Sequence, residues 1–406
     1  MASILIKNVG PLQDTGKVEL SQFNVLIGRQ SSGKSTFMKI LCFCQWLEKQ
    51  IMTGSENVLL YNYTHYHRFI KELMQFHRLD EDFFSSNSEI HFEGEAINIV
   101  LLDYKKNVKI TRKSNFELLR HNVKLCFIPS ERNLVSAIRN IDRAYRTKDS
   151  DVLFNHIFEW GDAKEHVSEQ EPIDLNVVGQ MEYYYDAKKR LDWIKLKNQQ
   201  RLIPPFYASS GVQSVLPIMV MTEYFTSTKF YDTMDVTKYD LAALFRQISA
   251  SLTEEEATKK FSEKVIKTYK YKNTRLFIEE PEQNLFPESQ QALIEYLVSR
   301  INLATEHTQK QSSLTITTHS PYIITAFNVL IRAWQAAQKY AEKTEKIVPK
   351  NRYIPLKNIS AYYIDSNGCF QNIIDEEIAM ISGVELDNAS EVVEDKLSRL
   401  NDLIYE

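Results

Sequence analysis

Glycine and proline are scarce in this chain, eleven of each among 406 residues. That scarcity excludes linker-rich, collagen-like and low-complexity architectures. Cysteine is scarcer still: Cys42, Cys44, Cys126 and Cys369 are the four present. A secreted disulfide scaffold needs more of them in a shorter chain, and no CxxC pair marks a zinc ribbon. Reduced, buried thiols are the expectation. An excess of one charge is missing too, because 49 Lys and Arg face 53 Asp and Glu, for a net charge of -4. The chain is therefore not basic throughout, although a local basic patch stays open. No apolar run approaches the roughly 18 residues of a transmembrane helix. Met1 to Ile6 leads straight into Lys7 and Asn8 without a basic-then-apolar leader. A cytoplasmic protein with no membrane contact is expected.

What remains is an ordinary globular composition, 43% apolar and 25% charged. Its length fits two to three domains, or one large core with insertions. Strands are expected over residues 3–7 and 17–20, around a turn-rich 10–16. Residues 23–27 form a short apolar run stopped by Gly28, which suits a buried central strand. A helix should start near Lys34 and pass through Phe37, Ile40 and Leu41 toward Trp46. From about 50 to 200 the chain is polar, aromatic and less regular. Within it, 88–110 alternates like hairpin strands, 124–128 reads as a strand halted by Pro129, and 186–201 reads as a charged helix. Regular order returns near Pro205, with a strand at 275–278, a helix at 289–301, a strand at 314–318 and a helix beyond Pro321. Strand, helix, strand, helix predicts a mostly parallel sheet.

Gly28-Arg29-Gln30-Ser31-Ser32-Gly33-Lys34-Ser35, followed by Thr36, fits the phosphate-loop pattern. The glycines permit a tight turn whose amides face phosphate oxygens. Lys34 places a charge on the β- and γ-phosphates, and the Ser35 hydroxyl can ligate Mg2+. The helix that starts here adds its positive end. Chance predicts only about 0.002 such matches at this chain's glycine frequency, so a decorative turn is rejected. Leu276-Phe277-Ile278-Glu279-Glu280-Pro281-Glu282 is an apolar strand ending in acids, which such sheets deliver beside the loop. Glu279 would hold Mg2+ and Glu280 would polarise the attacking water. Thr317-Thr318-His319-Ser320-Pro321 follows the next strand, where a histidine can reach a γ-phosphate. Ala208-Ser209-Ser210-Gly211-Val212-Gln213 opens an apolar helix, where small hydroxyls either cap the helix or meet an anion.

In this order the four elements resemble the ABC-type ATPases, in the soluble branch that contains the RecF, SMC and OLD families. The fold implied is an α/β P-loop NTPase core, with N-terminal antiparallel strands beside a mostly parallel sheet, over residues 1–48 and 202–406. Residues 49–201 would form a large inserted α+β or helical region. Ser209, Ser210 and Gly211 resemble the signature motif, Glu279-Glu280 the Walker B acids and His319 the switch histidine. ATP and Mg2+ are the implied cofactors. The resemblance also implies head-to-tail dimers in which each copy offers Ser209 and Gly211 to nucleotide on the other's loop. Two positions depart from the usual pattern, Glu279 for aspartate and Ala208 for leucine. Gln45 and Gln75 both stand as the Q-loop glutamine. No Asp-x-Asp follows His319, so a Toprim nuclease is not expected.

Similar stand-alone ATPases work with a separate effector in anti-phage systems, so a nucleotide-driven switch acting on a partner is the leading expectation. A RecF-like DNA-binding ATPase and an ATP-binding scaffold with little turnover are the alternatives. For the second reading, Lys188, Lys189, Arg190, Lys195, Lys197 and Arg201 supply a basic face, solvated or on phosphate. Arg132, in Phe127-Ile128-Pro129-Ser130-Glu131-Arg132, either faces phosphate or makes a surface ion pair. His65, His67, His77 and His91 lack the clustered Cys or carboxylate that a metal site requires.

Overall fold

The computed structural model describes residues 2–54, 56–65, 67–106, 108–139, 141, 151–199, 201–234, 261, 265, 266, 268–383 and 398–401. Its centre is the short apolar run foreseen in the sequence, β4 (Phe23–Gly28), buried along its whole length. Its central position follows from what lies beside it. β14 (Ser313–Thr318) pairs parallel on one side and β15 (Ile359–Ile364) on the other. β13 (Tyr271–Glu279) joins β14, and β8 (Asn122–Ile128) closes that side, both parallel. β16 (Phe370–Asn372) adds an antiparallel strand to β15. The order is β16-β15-β4-β14-β13-β8, the mostly parallel sheet expected.

Strand periodicity divides the core in two. Phe23, Val25, Ile27, Leu276 and Ile278 face one apolar cluster, while Leu26 and Phe277 face the other. Long helices cover the first: α4 (Ser210–Phe225), α5 (Pro287–Thr308) and α6 (Pro321–Glu345). The second is covered by α1 (Lys34–Thr53) and an antiparallel sheet. That sheet runs β2-β1-β5-β6-β7, with β3 also on β1. Its strands are β1 (Ser3–Val9), β2 (Leu12–Asp14), β3 (Val18–Glu19), β5 (Phe84–Glu93), β6 (Ile97–Leu102) and β7 (Lys109–Arg112). α2 (Arg68–His77) adds Phe69, Ile70 and Leu73 to the second cluster, whereas α3 (Val152–Glu165) gives Ile157, Trp160 and Ala163 to the first. No helix of the described residues is long and apolar enough to cross a membrane.

Two differences from the sequence expectations stand out. Residues 186–201 are not a helix. β10 (Met181–Asp186) and β11 (Leu191–Leu196) form an antiparallel hairpin, extended by β9 (Ile173–Asp174) and β12 (Arg201–Ile203). The Asp186 carboxylate accepts from the amides of Lys188 and Lys189, and Arg190 is left-handed at φ 55°. That turn chemistry outweighs helix propensity, and Trp193 and Ile194 then suit a strand. Secondly, β5, β6, β7 and β8 lie between residues 49 and 201 yet pair into the two main sheets. Alternation alone reveals a strand but not its neighbour.

A buried ionic group ties the layers together. Glu48, on α1 and without solvent exposure, accepts from the amides of Ala96 (2.7 Å) and Ile97 (3.3 Å) in the β5–β6 turn. Arg275 of β13 lies 3.7 Å from the same carboxylate and 2.8 Å from Glu95, which also holds Lys310 at 2.9 Å. Glu48→Ala should leave two amides without a partner and Arg275 with Glu95 alone. A loss of about 2–4 kcal/mol is expected in urea unfolding; an unchanged midpoint would show that the carboxylate is not a tie.

Candidate functional site

Parallel pairing sets where the chemistry lies. The C-terminal ends of β4, β14, β13 and β8 share one edge, so the segments that follow them meet there. After β4 the chain turns through Ser31 at φ 62° and Gly33 at φ 102° into α1. A side chain at Gly33 would bring its Cβ to 2.5 Å from Leu12, so only glycine fits. No side chain caps α1, which leaves its first amides open to an anion. Arg29, Gln30 and Ser31 are exposed, whereas Lys34 and Thr36 are buried and Ser35 is half-buried. A cleft of about 560 Å3 opens here, lined by Gln30, Ser31, Gly33, Lys34, Ser35 and Thr36 of the loop, and by Glu280 and His319.

Lys34 donates from Nζ to the carbonyls of Gly28 (2.8 Å) and Arg29 (2.6 Å). Burial pushes its ammonium down to about 8, against the pull of Glu280 and Glu282; a bound phosphate would relieve that desolvation. His319 bridges the cleft. Its Nε2 lies 2.8 Å from Glu280 Oε1, and its Nδ1 lies 2.9 Å from the Gly28 carbonyl and 3.3 Å from Lys34 Nζ. The hydrogen bond to His319 is the main reason that Glu280 is held down to about 2, with Gln283 and Lys34 adding to it. Glu280 is also left-handed, at φ 44°, a conformation that costs a non-glycine residue free energy and needs support around it.

Glu279 differs from its neighbour. It is buried, and desolvation raises its pKa against the nearby Lys39, the Ser35 hydroxyl and the Ser130 amide. One oxygen accepts from Ser130 N at 3.1 Å, and the other, Oε1, has no hydrogen-bond partner. A buried carboxylate oxygen without a partner, beside the first hydroxyl of the helix, fits a hard divalent cation. Ser35 and Glu279 are the groups that could hold it.

Arg132 occupies neither of the two positions open to it in the sequence. It is fully buried and donates to the carbonyls of Glu279 (2.7 Å), Glu280 (2.8 Å) and Ser214 (3.0 Å), and to the Ser214 hydroxyl (3.1 Å). Its rigid donor fork therefore joins the acid-bearing strand end to the first turns of α4. α4 carries Ser209, Ser210 and Gly211 at its start, and the two serines are exposed. A Cβ on Gly211 would sit 2.8 Å from the Asn284 carbonyl, so glycine lets the loop after the acids approach. None of the three lines this chain's own cleft.

Several other residues take places that the sequence did not reveal. Glu282 accepts from the Thr318 hydroxyl (2.8 Å) and the His319 amide (2.7 Å), and so fixes the histidine's loop. Pro11 and Phe83 line the cleft, with Phe83 brought in by Gly10 N donating to its carbonyl at 2.7 Å. No motif announces an aromatic at that distance along the chain. Gln45 and Gln75 are absent from the cleft: Gln45 is buried on α1, and Gln75 sits on α2 beside a separate cavity. The loop after β8 instead carries Ser130, Glu131 and Arg132. The four candidate histidines separate, with His77 buried among aromatic rings, His91 beside Glu89 and His65 stacked on Tyr61.

Residues 23–325 match the family described as "AAA domain, putative AbiEii toxin, Type IV TA system". No curated protein matches the chain. Among solved structures, the SMC head domain from Thermotoga maritima is similar at 8% identity and a TM-score of 0.33, covering 80% of this chain and 90% of that one. The recombination mediator RecF of the RecFOR pathway is similar at 10% identity and a TM-score of 0.33, covering 91% and 97%. A nucleotide-free ATP-binding cassette from an ABC transporter is similar at 11% identity and a TM-score of 0.32, covering 93% of each chain.

The Glu280–His319 contact has a measurable signature. Because Glu280 is held below its ordinary value, its contribution to stability is complete above the ordinary carboxylate range. It disappears as the pH falls toward about 2. In His319→Ala the Glu280 carboxyl should titrate closer to the usual value near 4.3, as followed by 13C NMR of labelled glutamate. An unmoved Glu280 titration would show that the histidine is not its partner.

Proposed function

This chain belongs to the AAA-domain family described above, and from that premise we propose that it binds Mg-ATP and hydrolyses it as a nucleotide-dependent switch. The observation that carries the reading is the convergence of Lys34, Glu280 and His319 on one cleft beside open helix amides, with Glu279 buried next to the Ser35 hydroxyl. In this reading the loop 28–36 cradles the phosphates, with Lys34 on the β- and γ-phosphates. Mg2+ supplies charge neutralisation when bound, held by Ser35 and Glu279. Glu280, ionised, orients and deprotonates the attacking water. His319 holds Glu280 in place and reaches the γ-phosphate, linking its presence to Gly28 and the loop.

We place a second copy opposite the cleft, offering Ser209, Ser210 and Gly211 to the nucleotide. What supports this is that Ser209 and Ser210 are exposed, that Ser209 makes no side-chain cap, and that all three residues lie outside their own cleft. Arg132 would then carry the state of the acids to that offered helix end. Such a cytoplasmic homodimer would control a separate effector in anti-phage defence; what supports this is the family's description as a putative AbiEii toxin of a type IV toxin–antitoxin system. A second reading, a DNA-stimulated ATPase, draws support from the exposed tip at Lys188, Lys189 and Arg190 between β10 and β11. It predicts salt-sensitive DNA binding that speeds turnover and weakens when that tip is neutralised.

Glu280→Gln should retain ATP and lose about 10²–10⁴ in turnover, accumulating as a dimer in size-exclusion chromatography with ATP. Lys34→Ala should instead weaken nucleotide binding itself, as read by calorimetry. Wild-type turnover in the first variant would remove Glu280 as the base, and wild-type affinity in the second would remove the loop assignment.

A further inference from the structure

The loop from the end of β13 to α5, residues 280–286, begins with Glu280 and folds back on it. Gln283 donates its backbone amide to the Glu280 carbonyl at 3.1 Å, and the Leu285 amide donates to the Glu282 carbonyl at 3.0 Å. Asn284 is left-handed between them, at φ 60°. This turn brings the half-buried Gln283 side chain against the Glu280 carboxylate, where its Nε2 donates to Oε2 at 3.0 Å. An ionised carboxylate only accepts, so the amide nitrogen is the end that faces it.

Each oxygen of Glu280 therefore has its own donor, His319 Nε2 on Oε1 at 2.8 Å and Gln283 Nε2 on Oε2. The second donor matters for a geometric reason. The torsion that carries a glutamate's carboxylate has a broad minimum, so the group swings when one oxygen alone is held. Glu280 has room to swing, because its side chain keeps 31% of its surface exposed and lines the cleft. Donors on both oxygens fix the carboxylate plane. They use two of its roughly four lone pairs and leave the others for water. Both donors are themselves anchored. Glu282 accepts from the His319 amide at 2.7 Å, while the Gln283 turn rests on the Glu280 carbonyl, which Arg132 also binds at 2.8 Å.

Gln283 does not line the cleft formed by the phosphate loop. A residue that touches the base and not the substrate site acts on the chemical step rather than on binding. We propose that Gln283 is a positioning residue for hydrolysis, holding the second oxygen of Glu280 so that the carboxylate meets the attacking water in one fixed plane. The inference rests on the reading of Glu280 as the base.

Steady-state hydrolysis of Mg-ATP by the full chain tests it. Gln283→Met keeps the length and bulk of the side chain and removes the donor. Its kcat should fall about tenfold or more. KM, the affinity for a non-hydrolysable ATP analogue by calorimetry, and the melting temperature should all stay at wild-type values. The loss should also run through Glu280, so adding Gln283→Met to Glu280→Gln should cost nothing further in residual turnover. If Gln283→Met does not fold, Gln283→Leu makes the same test. Wild-type or faster turnover in the folded variant overturns the proposal. So does a loss expressed in KM or analogue affinity, or one that adds in full to that of Glu280→Gln. These outcomes leave the ATPase reading standing, because Glu280→Gln alone is still impaired. An inactive wild type, or Glu280→Gln at the wild-type rate, overturns that reading and the proposal together.

Discussion

The shared direction of five strands is the constraint on which everything else depends. β8, β13, β14, β4 and β15 pair in parallel, so each reaches the same edge at its C-terminal end. The register is tight: Thr318 is opposite Ile27, and Glu279 is opposite Thr317. One residue further along each strand, Gly28, His319 and Glu280 therefore meet without any long-range recognition of their own. Burial on both faces holds the register, because a slip of one residue would exchange the two apolar clusters and face polar groups into them.

A second set of contacts turns this meeting into a defined arrangement. Glu282 fixes the loop of His319, while Arg132 binds the carbonyls of both acids and the first turns of α4. The positive φ of Glu280 has its physical counterpart here, since Arg132 accepts no alternative placement of that carbonyl without losing a charged hydrogen bond. Lys34 and His319 meanwhile take the loop's own carbonyls as partners. A phosphate arriving at the loop would compete for these same donors, so binding and rearrangement of the cleft are physically one event.

Much of this was legible in the sequence, for identifiable reasons. The phosphate loop is local, and its glycines and lysine occupy fixed spacings. The acids and His319 could be placed because each follows an apolar strand of unmistakable length. What escaped depends on pairing across the chain. That β8 flanks β13 follows from no local pattern, and with it went the true role of Arg132, whose guanidinium makes four hydrogen bonds to Ser214, Glu279 and Glu280, far away in sequence. Residues 186–201 misled because their charges suit a helix, whereas the Asp186 turn and Trp193-Ile194 decide for a hairpin. Phe83 at the cleft is likewise visible only once distant segments touch.

The proposed switch stands on a nucleotide gripped by one copy's loop and completed by the exposed start of α4 from another. Mixing Lys34→Ala with Ser209→Arg tests it most directly, because each inactive parent supplies the half that the other lacks. In the mixture one pocket of every mixed dimer is intact, so turnover should return, up to about one quarter of the wild-type rate for random pairing. A mixture as inert as both parents, beside an active wild type, would contradict the claim.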